Sequence, residues 1–242
     1  MLNDIKNRSI GLIIPSINMR MEPELYRCPE LHEFNVYTTR IKLNDVTEES
    51  LKAMERDVRH AAEMLCDVNP EIIIFGCTSG SFISSGDGGP NLETVIEDIC
   101  KCPVVTASNA MIDVLKAISA KKLVLVTPYT DDINVKEKSY IESFGIEVVS
   151  MKGLGIISPE ELRTQPVETI EHLVLTTDVP EADSVFISCT NLEGFHICNY
   201  LEKKLKKPVF SSNLACLWSV LNKIDHSVVI NDRGMIFRDY LK

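Results

Sequence analysis

A strand-like apolar segment that ends in a cysteine occurs twice in this sequence. The first copy spans residues 71–80 (EIIIFGCTSG) and the second spans residues 184–191 (SVFISCTN). The two cysteines, Cys77 and Cys189, lie 189 − 77 = 112 positions apart. A short run of β-branched and aromatic residues without a polar face is typical of a strand buried on both sides of a parallel sheet. The sequence therefore predicts two such strands, each followed directly by a thiol.

Two further matched landmarks lie at nearly the same spacing. Residues 13–16 (IIPS) match residues 126–129 (VTPY), with prolines 128 − 15 = 113 positions apart. Residues 103–110 (PVVTASNA) match residues 208–215 (PVFSSNLA), with prolines 208 − 103 = 105 positions apart. Three landmarks in the same order at almost one period predict a duplicated unit.

Strand-like runs alternate with stretches of helical periodicity along the whole chain, which predicts βαβ units with right-handed crossovers and parallel sheets. We therefore predict an α/β protein of two lobes related by a pseudo-twofold. The N-terminal lobe would comprise residues 1–117 plus 212–242, and the C-terminal lobe residues 118–211. Open α/β sheets bind ligands at the carboxyl ends of their strands, so the active site is expected in the cleft between the lobes.

Both cysteines are predicted to lie at those strand ends. Small residues follow each of them, which suits a loop that opens onto a helix N-terminus, where N–H groups would stabilise a thiolate and lower its pKa. Two opposed thiols could attack, or exchange protons with, opposite faces of one small molecule. The alternative is that both are ordinary core cysteines. The five histidines occupy no matching repeat position, which disfavours a Cys–His pair.

Composition excludes several other classes of function. A formal charge of −10, from 35 acidic and 25 basic residues, disfavours nucleic acid as a partner. No apolar run approaches the ~20 residues that span a membrane. The apolar run at residues 10–14 is too short for a signal peptide, so we expect a cytoplasmic protein whose eight cysteines are reduced thiols. Cys100 and Cys102 lack the spacing of a metal site, so no metal is expected.

Several segments together resemble the aspartate/glutamate racemase superfamily, and within it the branch of maleate cis–trans isomerases and arylmalonate decarboxylases. The resemblance is carried by residues 11–25 (GLIIPSINMRMEPEL), 39–41 (TRI), 75–81 (FGCTSGS), 126–129 (VTPY) and 188–191 (SCTN). It implies two Rossmann-like lobes and neither a metal nor an organic cofactor. Decarboxylases of this branch keep only the second cysteine and have glycine at the first site. Racemases and maleate isomerases keep both, so this chain resembles an isomerase.

The resemblance implies a role for each thiol. Cys77 would add to one alkene carbon of a maleate-type dicarboxylate, and Cys189 would act as acid and base on the opposite face. Asn18 and Tyr129 match residues of the family that hold carboxylates, and N–H or hydroxyl groups of the loops would complete the binding. The predicted substrate-binding residues are Pro15, Asn18, Thr78, Ser79, Tyr129, Thr190 and Asn191.

Other functions stay open from the sequence alone. The same two thiols could serve an amino-acid racemase as bases, and a decarboxylase of a substituted malonate or a non-catalytic two-lobed binding protein is less favoured. Ile17 and Met19 stand where the family usually has small polar residues, and residues 156–159 (IISP) lack an expected asparagine, which would suit a bulkier, less symmetric acid. The glycine-rich residues 84–90 could form a lid, and a homodimer is possible.

Overall fold

The computed structural model describes residues 8–86, 91–224, 230 and 232–241. Its strands are β1 (Arg8–Pro15), β2 (Phe34–Ile41), β3 (Ile72–Phe75), β4 (Val104–Thr106), β5 (Lys122–Thr127), β6 (Glu147–Gly153), β7 (Ser184–Ile187) and β8 (Val209–Ser211). Its α-helices are α1 (Met21–Tyr26), α2 (Glu48–Cys66), α3 (Thr78–Gly86), α4 (Leu92–Cys100), α5 (Ala107–Ala117), α6 (Asp131–Glu142), α7 (Pro159–Arg163), α8 (Val167–Thr177), α9 (Cys198–Leu205), α10 (Ser212–Lys223) and α11 (Met235–Tyr240).

The strands form two four-stranded parallel sheets with the same internal order. One sheet has the order β2-β1-β3-β4 and the other has the order β6-β5-β7-β8. Matched hydrogen bonds extend the equivalence beyond the strands: the Gly76 N–H donates to the Ile13 carbonyl, and the Ser188 N–H donates to the Val126 carbonyl, each at 2.8 Å. The α/β class and the two parallel sheets predicted from the sequence are confirmed.

The inner strands of each sheet are buried because they carry apolar side chains on both faces. All four residues of β3 and all four of β7 are inaccessible to solvent. The outer strand β2 alternates between buried and exposed positions over its first half, as expected of a strand with one wet face. Strand order reverses between β1 and β3, and again between β5 and β7, and each reversal opens a crevice at the carboxyl ends of the strands.

The loop predicted at residues 84–90 is only partly described by the structure. Residues 84–90 were expected to form a loop, but residues 84–86 complete α3, because the small residues there continue the helix that follows Cys77. Residues 87–90 lie outside the described part of the chain, as do residues 225–229, 231 and 242 of the tail.

The pseudo-twofold and the division of the chain into lobes, including the assignment of residues 212–242, stay predictions. No helix among the described residues is long and apolar enough to cross a membrane.

The expectation that all eight cysteines are reduced thiols is wrong for one pair. Cys66 and Cys100 form a disulfide, with their Cα atoms 5.1 Å apart. They are the last residues of α2 and α4, and these helices pack against each other. Their separation of 34 residues carries no signal, since only helix packing brings them together. The other six cysteines are free.

The disulfide leads to a stability prediction. Closing a loop of this length should stabilise the fold by about 3–4 kcal/mol, so Cys100→Ser should lower the free energy of unfolding by that amount. Urea denaturation under non-reducing conditions, followed by far-ultraviolet circular dichroism, measures the change. The control is Cys102→Ser, which removes a free, half-buried thiol nearby and should cost less than about 1 kcal/mol. Finding eight reactive thiols in the urea-unfolded protein, instead of six, would contradict the bond.

Candidate active site

Cys77 lies in the crevice between β1 and β3, directly before α3. Its side chain is only 4% exposed. The Gly80 N–H of the first turn of α3 donates to its Sγ at 3.4 Å, and the Ser79 hydroxyl is 4.0 Å from the same sulfur. Gly76 is needed before it, since a Cβ there would lie 2.3 Å from the Met21 sulfur. The strand end and helix start thus aim N–H and hydroxyl donors at this sulfur.

Cys189 occupies the equivalent position after β7, on a strained backbone. Its φ of +94° lies in a region that non-glycine residues rarely adopt, which is common at functional sites. The Cys189 N–H donates to the Ser212 hydroxyl at 3.0 Å and holds this conformation. The Asn191 N–H and the Tyr129 hydroxyl both lie within hydrogen-bonding reach of its sulfur.

Both thiols line one small cavity of about 20 Å³. All nine residues predicted as catalytic or substrate-binding border it: Pro15, Asn18, Cys77, Thr78, Ser79, Tyr129, Cys189, Thr190 and Asn191. A water needs about 10–15 Å³ of such space, so the cavity holds roughly one water. A four-carbon dicarboxylate needs more room, and binding therefore requires the cavity walls to move apart. A larger groove of about 530 Å³ beside α3 and α6 contains neither thiol.

Hydrogen bonds between the two halves of the chain close this cavity. The Asn18 amide donates to the Thr190 hydroxyl at 3.0 Å, and the Thr190 hydroxyl donates to the Gly76 carbonyl at 2.9 Å. The Asn191 side chain accepts from the Met19 N–H at 2.8 Å and donates to the Ile17 carbonyl at 3.2 Å. These polar groups satisfy one another, so a carboxylate that enters must exchange places with some of these contacts.

The predicted lowering of the thiol pKa values is wrong for this compact arrangement. Burial raises the pKa of Cys77 to about 11, and the Gly80 N–H and Ser79 hydroxyl only partly oppose the shift. Burial raises the pKa of Cys189 to about 12, against the lowering effect of the Asn191 N–H and the Tyr129 hydroxyl. Removing a thiolate from water raises its free energy by more than a few neutral hydrogen-bond donors can lower it. Both thiols are therefore neutral near pH 7, and admitting water should make them more acidic.

No charged side chain lines the cavity among the residues that the structure describes. Within the same residues, no cluster of three or more His, Cys, Asp or Glu side chains could hold a metal ion, and cofactor independence stays a prediction. A carboxylate would be held by neutral N–H, amide and hydroxyl donors, as at helix N-termini. Four apolar residues complete the wall, of which the sequence singled out only the first: Ile17, Leu43, Val46 and Leu162.

Sequence reasoning missed two buried carboxyl groups behind the Cys189 loop. Glu137 on α6 is fully buried, with Oε1 2.6 Å from the Ser188 hydroxyl. Glu24 on α1 is 6% exposed, and its Oε2 accepts from the Asn213 amide at 2.5 Å. That amide also donates to the Thr190 carbonyl at 3.1 Å. Burial raises the pKa of each glutamate to about 8.

The duplicated landmarks contained a signal for this pair. Glu24 follows Pro15 by 24 − 15 = 9 positions, and Glu137 follows Pro128 by 137 − 128 = 9 positions. A carboxyl thus stands at the same offset from the proline in both copies, as the fourth residue of α1 and the seventh residue of α6. Their surroundings differ, however: Glu137 meets Ser188, whereas the residue before the first cysteine is Gly76, which has no side chain to meet Glu24.

Comparisons with known proteins agree with this geometry. The family model for arylmalonate decarboxylase matches residues 10–237. The chain is 26% identical over 244 residues to a maleate isomerase of Nocardia farcinica, covering 96% of each chain. It is 27% identical over 254 residues to a maleate isomerase of Alcaligenes faecalis, covering 96% of this chain and 97% of the relative. A cysteine-to-serine variant of Nocardia farcinica maleate cis-trans isomerase, solved with a covalently bound succinylcysteine intermediate, aligns with TM-score 0.88 and 25% identity, covering 96% of this chain and 98% of that one.

Proposed function

The chain belongs to the arylmalonate decarboxylase family, and we propose that it is a cofactor-independent cis–trans isomerase of a small dicarboxylate of the maleate type. The observation that carries this proposal is the pair of thiols, one from each half of the chain, that line one cavity without a charged wall. Relatives named maleate isomerase match along almost the whole chain. Decarboxylation is not favoured because the first cysteine is present, and racemisation is not favoured because none of these relatives is named a racemase.

The proposed reaction uses one proton shared between two sulfur atoms. The Cys77 thiolate forms a C–S bond to one alkene carbon, and the π electrons move to the neighbouring carbon, where the adjacent carboxylate delocalises them. The Cys189 thiol gives its proton to that carbon and becomes a thiolate, which leaves a succinyl thioether on Cys77. The former double bond is now single and can rotate. The Cys189 thiolate then removes a proton, the double bond re-forms as the trans isomer, and the Cys77 thiolate leaves.

Burial of the thiols supports this cycle once the first proton has left. Only one negative charge is present on the two sulfurs at any stage, since each gives up charge as the other gains it. The backbone N–H groups near Gly80 and Asn191 then stabilise whichever sulfur is charged. Because both thiols have raised pKa values, activity should increase with pH through the neutral range, where more of the pair has lost its first proton.

The direct test of the function is proton NMR of the protein with maleate in deuterium oxide. Loss of the maleate signal with equal gain of the fumarate signal is the expected result, and aspartate, glutamate and an arylmalonate serve as alternative substrates. Epimerisation of an amino acid, or loss of carbon dioxide from the malonate, with maleate unchanged, would overturn the proposal. The apolar residues Ile17 and Leu162 in the wall also justify testing 2-substituted maleates.

Asn18 is proposed to hold one carboxylate through its amide. Its Oδ1 accepts from the N–H groups of Arg20 and Met21, each at 3.1 Å, which leaves Nδ2 directed at Thr190 in the cavity. Asn18→Asp keeps the two accepted bonds but puts a negative charge beside the substrate. We expect KM for maleate to increase about 10- to 100-fold, as like charges a few ångströms apart repel by about 1–3 kcal/mol in a partly hydrated site.

Steady-state kinetics measures this change, and Asn18→Ala is the control because it removes the amide without adding charge. The alanine variant should raise KM less than the aspartate variant does. Equal KM values for the two variants would show that no carboxylate binds beside residue 18.

The predicted homodimer, the cytoplasmic location and the lack of nucleic-acid binding are independent of these kinetics and stay predictions.

A further inference from the structure

Glu137 is a buried titratable group that the proposed reaction does not use. Its side chain is inaccessible to solvent and forms no ion pair among the described residues. Oε1 lies 2.6 Å from the Ser188 hydroxyl, whereas Oε2 is buried and has no hydrogen-bond partner in that part of the chain. An ionised carboxylate in such a place would be costly, so the neutral acid is the stable form.

Two hydroxyl-bearing side chains, Ser188 and Tyr129, lie between this carboxyl and Cys189. The Ser188 hydroxyl lies within hydrogen-bonding reach of the Tyr129 phenol as well as of Glu137. The phenol in turn lies within reach of the Cys189 sulfur. Burial raises the pKa of Tyr129 well above its ordinary value, so the phenol keeps its proton and acts as a donor. Glu137, Ser188, Tyr129 and Cys189 therefore form a chain of neighbouring polar groups, in which a 2.6 Å hydrogen bond joins the Ser188 hydroxyl to the Glu137 carboxyl.

We propose that Glu137 is a positioning residue whose protonated carboxyl orients this chain so that the Tyr129 hydroxyl donates to the Cys189 sulfur. The inference rests on the proposed function, in which Cys189 becomes a thiolate in mid-cycle. With the acid neutral, its O–H donates to Ser188, the Ser188 O–H donates to Tyr129, and the Tyr129 O–H is left to stabilise the thiolate. Each hydroxyl donates one hydrogen bond and accepts one, so the direction of the hydrogen bonds along the chain is determined at its buried end.

Ionisation of Glu137 reverses this direction. A carboxylate can only accept, so the Ser188 hydroxyl must donate to it, and the Ser188 oxygen then accepts a hydrogen bond from the Tyr129 hydroxyl. Cys189 loses its phenol donor and faces a new negative charge, and both changes disfavour its thiolate. Burial raises the pKa of Glu137 to about 8, with the Ser188 hydroxyl opposing. The increase of activity with pH expected from the thiols should therefore level off above that value.

The other ionisable groups around Glu137 cannot readily replace it in this role. Cys77, Cys189 and Tyr129 are the ionisable groups of the site itself, and all have raised pKa values. The sequence of α3, which packs on α6, contains no ionisable side chain. Strand β6 contributes Glu147 and Lys152, which are both exposed. The other ionisable residues of α6 itself are Asp131, Asp132, Lys136, Lys138, Tyr140 and Glu142. Of these, Lys136 pairs with Glu48, and Lys138 pairs with Glu142.

The first test compares pH profiles of kcat for the wild type, Glu137→Gln and Glu24→Gln. A glutamine amide donates to Ser188 at every pH, so the kcat of Glu137→Gln should keep increasing where that of the wild type levels off. The ratio of its kcat to that of the wild type should be about tenfold higher one pH unit above the Glu137 pKa than one unit below it. Glu24→Gln is the matched control, because Glu24 is also buried, has a similarly raised pKa and bonds Asn213 instead; its kcat should level off as that of the wild type does. A profile of Glu137→Gln that levels off like the wild type, or a levelling-off that is lost only in Glu24→Gln, overturns the proposal.

The second test needs no turnover and separates failure of this inference from failure of the proposed function. In a Cys77→Ser background, the alkylation rate of Cys189 by iodoacetamide is followed against pH by peptide mass spectrometry. Adding Glu137→Gln should increase that rate several-fold above the Glu137 pKa, and adding Ser188→Ala should decrease it below that pKa. The Ser188 variant keeps the test available if the glutamine variant does not fold. Identical profiles in all three proteins would overturn the inference even if maleate is the substrate, and the expected profiles would sustain it even if maleate is not.

Discussion

Cys189→Ser is expected to stop turnover and to leave maleate bound to the protein as a thioether on Cys77. Cys77 can still add to the alkene, and solvent can supply the proton that completes the adduct. Release requires a base that removes a proton from the carbon next to the thioether. A serine hydroxyl is too weakly acidic to ionise near neutral pH, so it cannot act as that base. We expect kcat to fall by at least about 10³-fold, the usual contribution of a general acid or base.

Intact-protein mass spectrometry after incubation with maleate should detect the adduct as the added mass of one maleic acid molecule. Peptide mapping should place that mass on Cys77. The control is Cys216→Ala, which removes a buried free thiol on α10 that does not line the cavity, and which should turn over without accumulating an adduct. Normal turnover by Cys189→Ser would remove the second thiol from the mechanism.

Cys77→Ala should abolish isomerisation without accumulating a covalent adduct of the substrate. This substitution removes the only sulfur in the cavity that is proposed to bond carbon, whereas Cys189 still lines the cavity. Without a covalent adduct the substrate keeps its double bond, rotation about that bond is blocked, and acid–base chemistry alone cannot isomerise it. We expect kcat/KM to fall by at least about 10³-fold, as is usual when a covalent nucleophile is removed.

Two measurements on Cys77→Ala distinguish this account from simple unfolding. Its urea denaturation midpoint should remain near that of the wild type, because the substitution is small, and maleate should still raise its thermal midpoint through binding alone. The double variant with Cys189→Ser should acquire no mass from maleate. An adduct on Cys189 in the Cys77→Ala protein would instead assign the nucleophilic role to the second thiol.

Much of the fold follows from local pattern. Uninterrupted apolar runs such as Ile72–Phe75 can be stable only where both faces are covered, so they indicate the inner strands of parallel sheets. The repeated landmarks predict that both halves share one strand order, and they do. Residues that directly follow inner strands must lie at the carboxyl edge of a sheet, which is how the two cysteines and the small residues after them were selected. Pro15, Asn18 and Tyr129 were selected from the family resemblance, and they border the same cavity.

Other features depend on contacts between distant residues. Cys66 meets Cys100 only because α2 packs on α4. The apolar wall residues Leu43 and Leu162 come from loops and helices with no landmark of their own. Glu137 lies at the same offset from its proline as Glu24 does, but only its burial beside Ser188 gives it a role.

Local sequence pattern is enough to position the two thiols at the ends of two inner strands, each followed by small residues. The acidity of those thiols, the carboxyl group that lies behind them and the small volume that they share depend on how distant parts of the chain pack together. Strand position depends on neighbours along the chain, whereas the free energy of a buried charge depends on every atom that displaces water around it, and those atoms come from all parts of the fold.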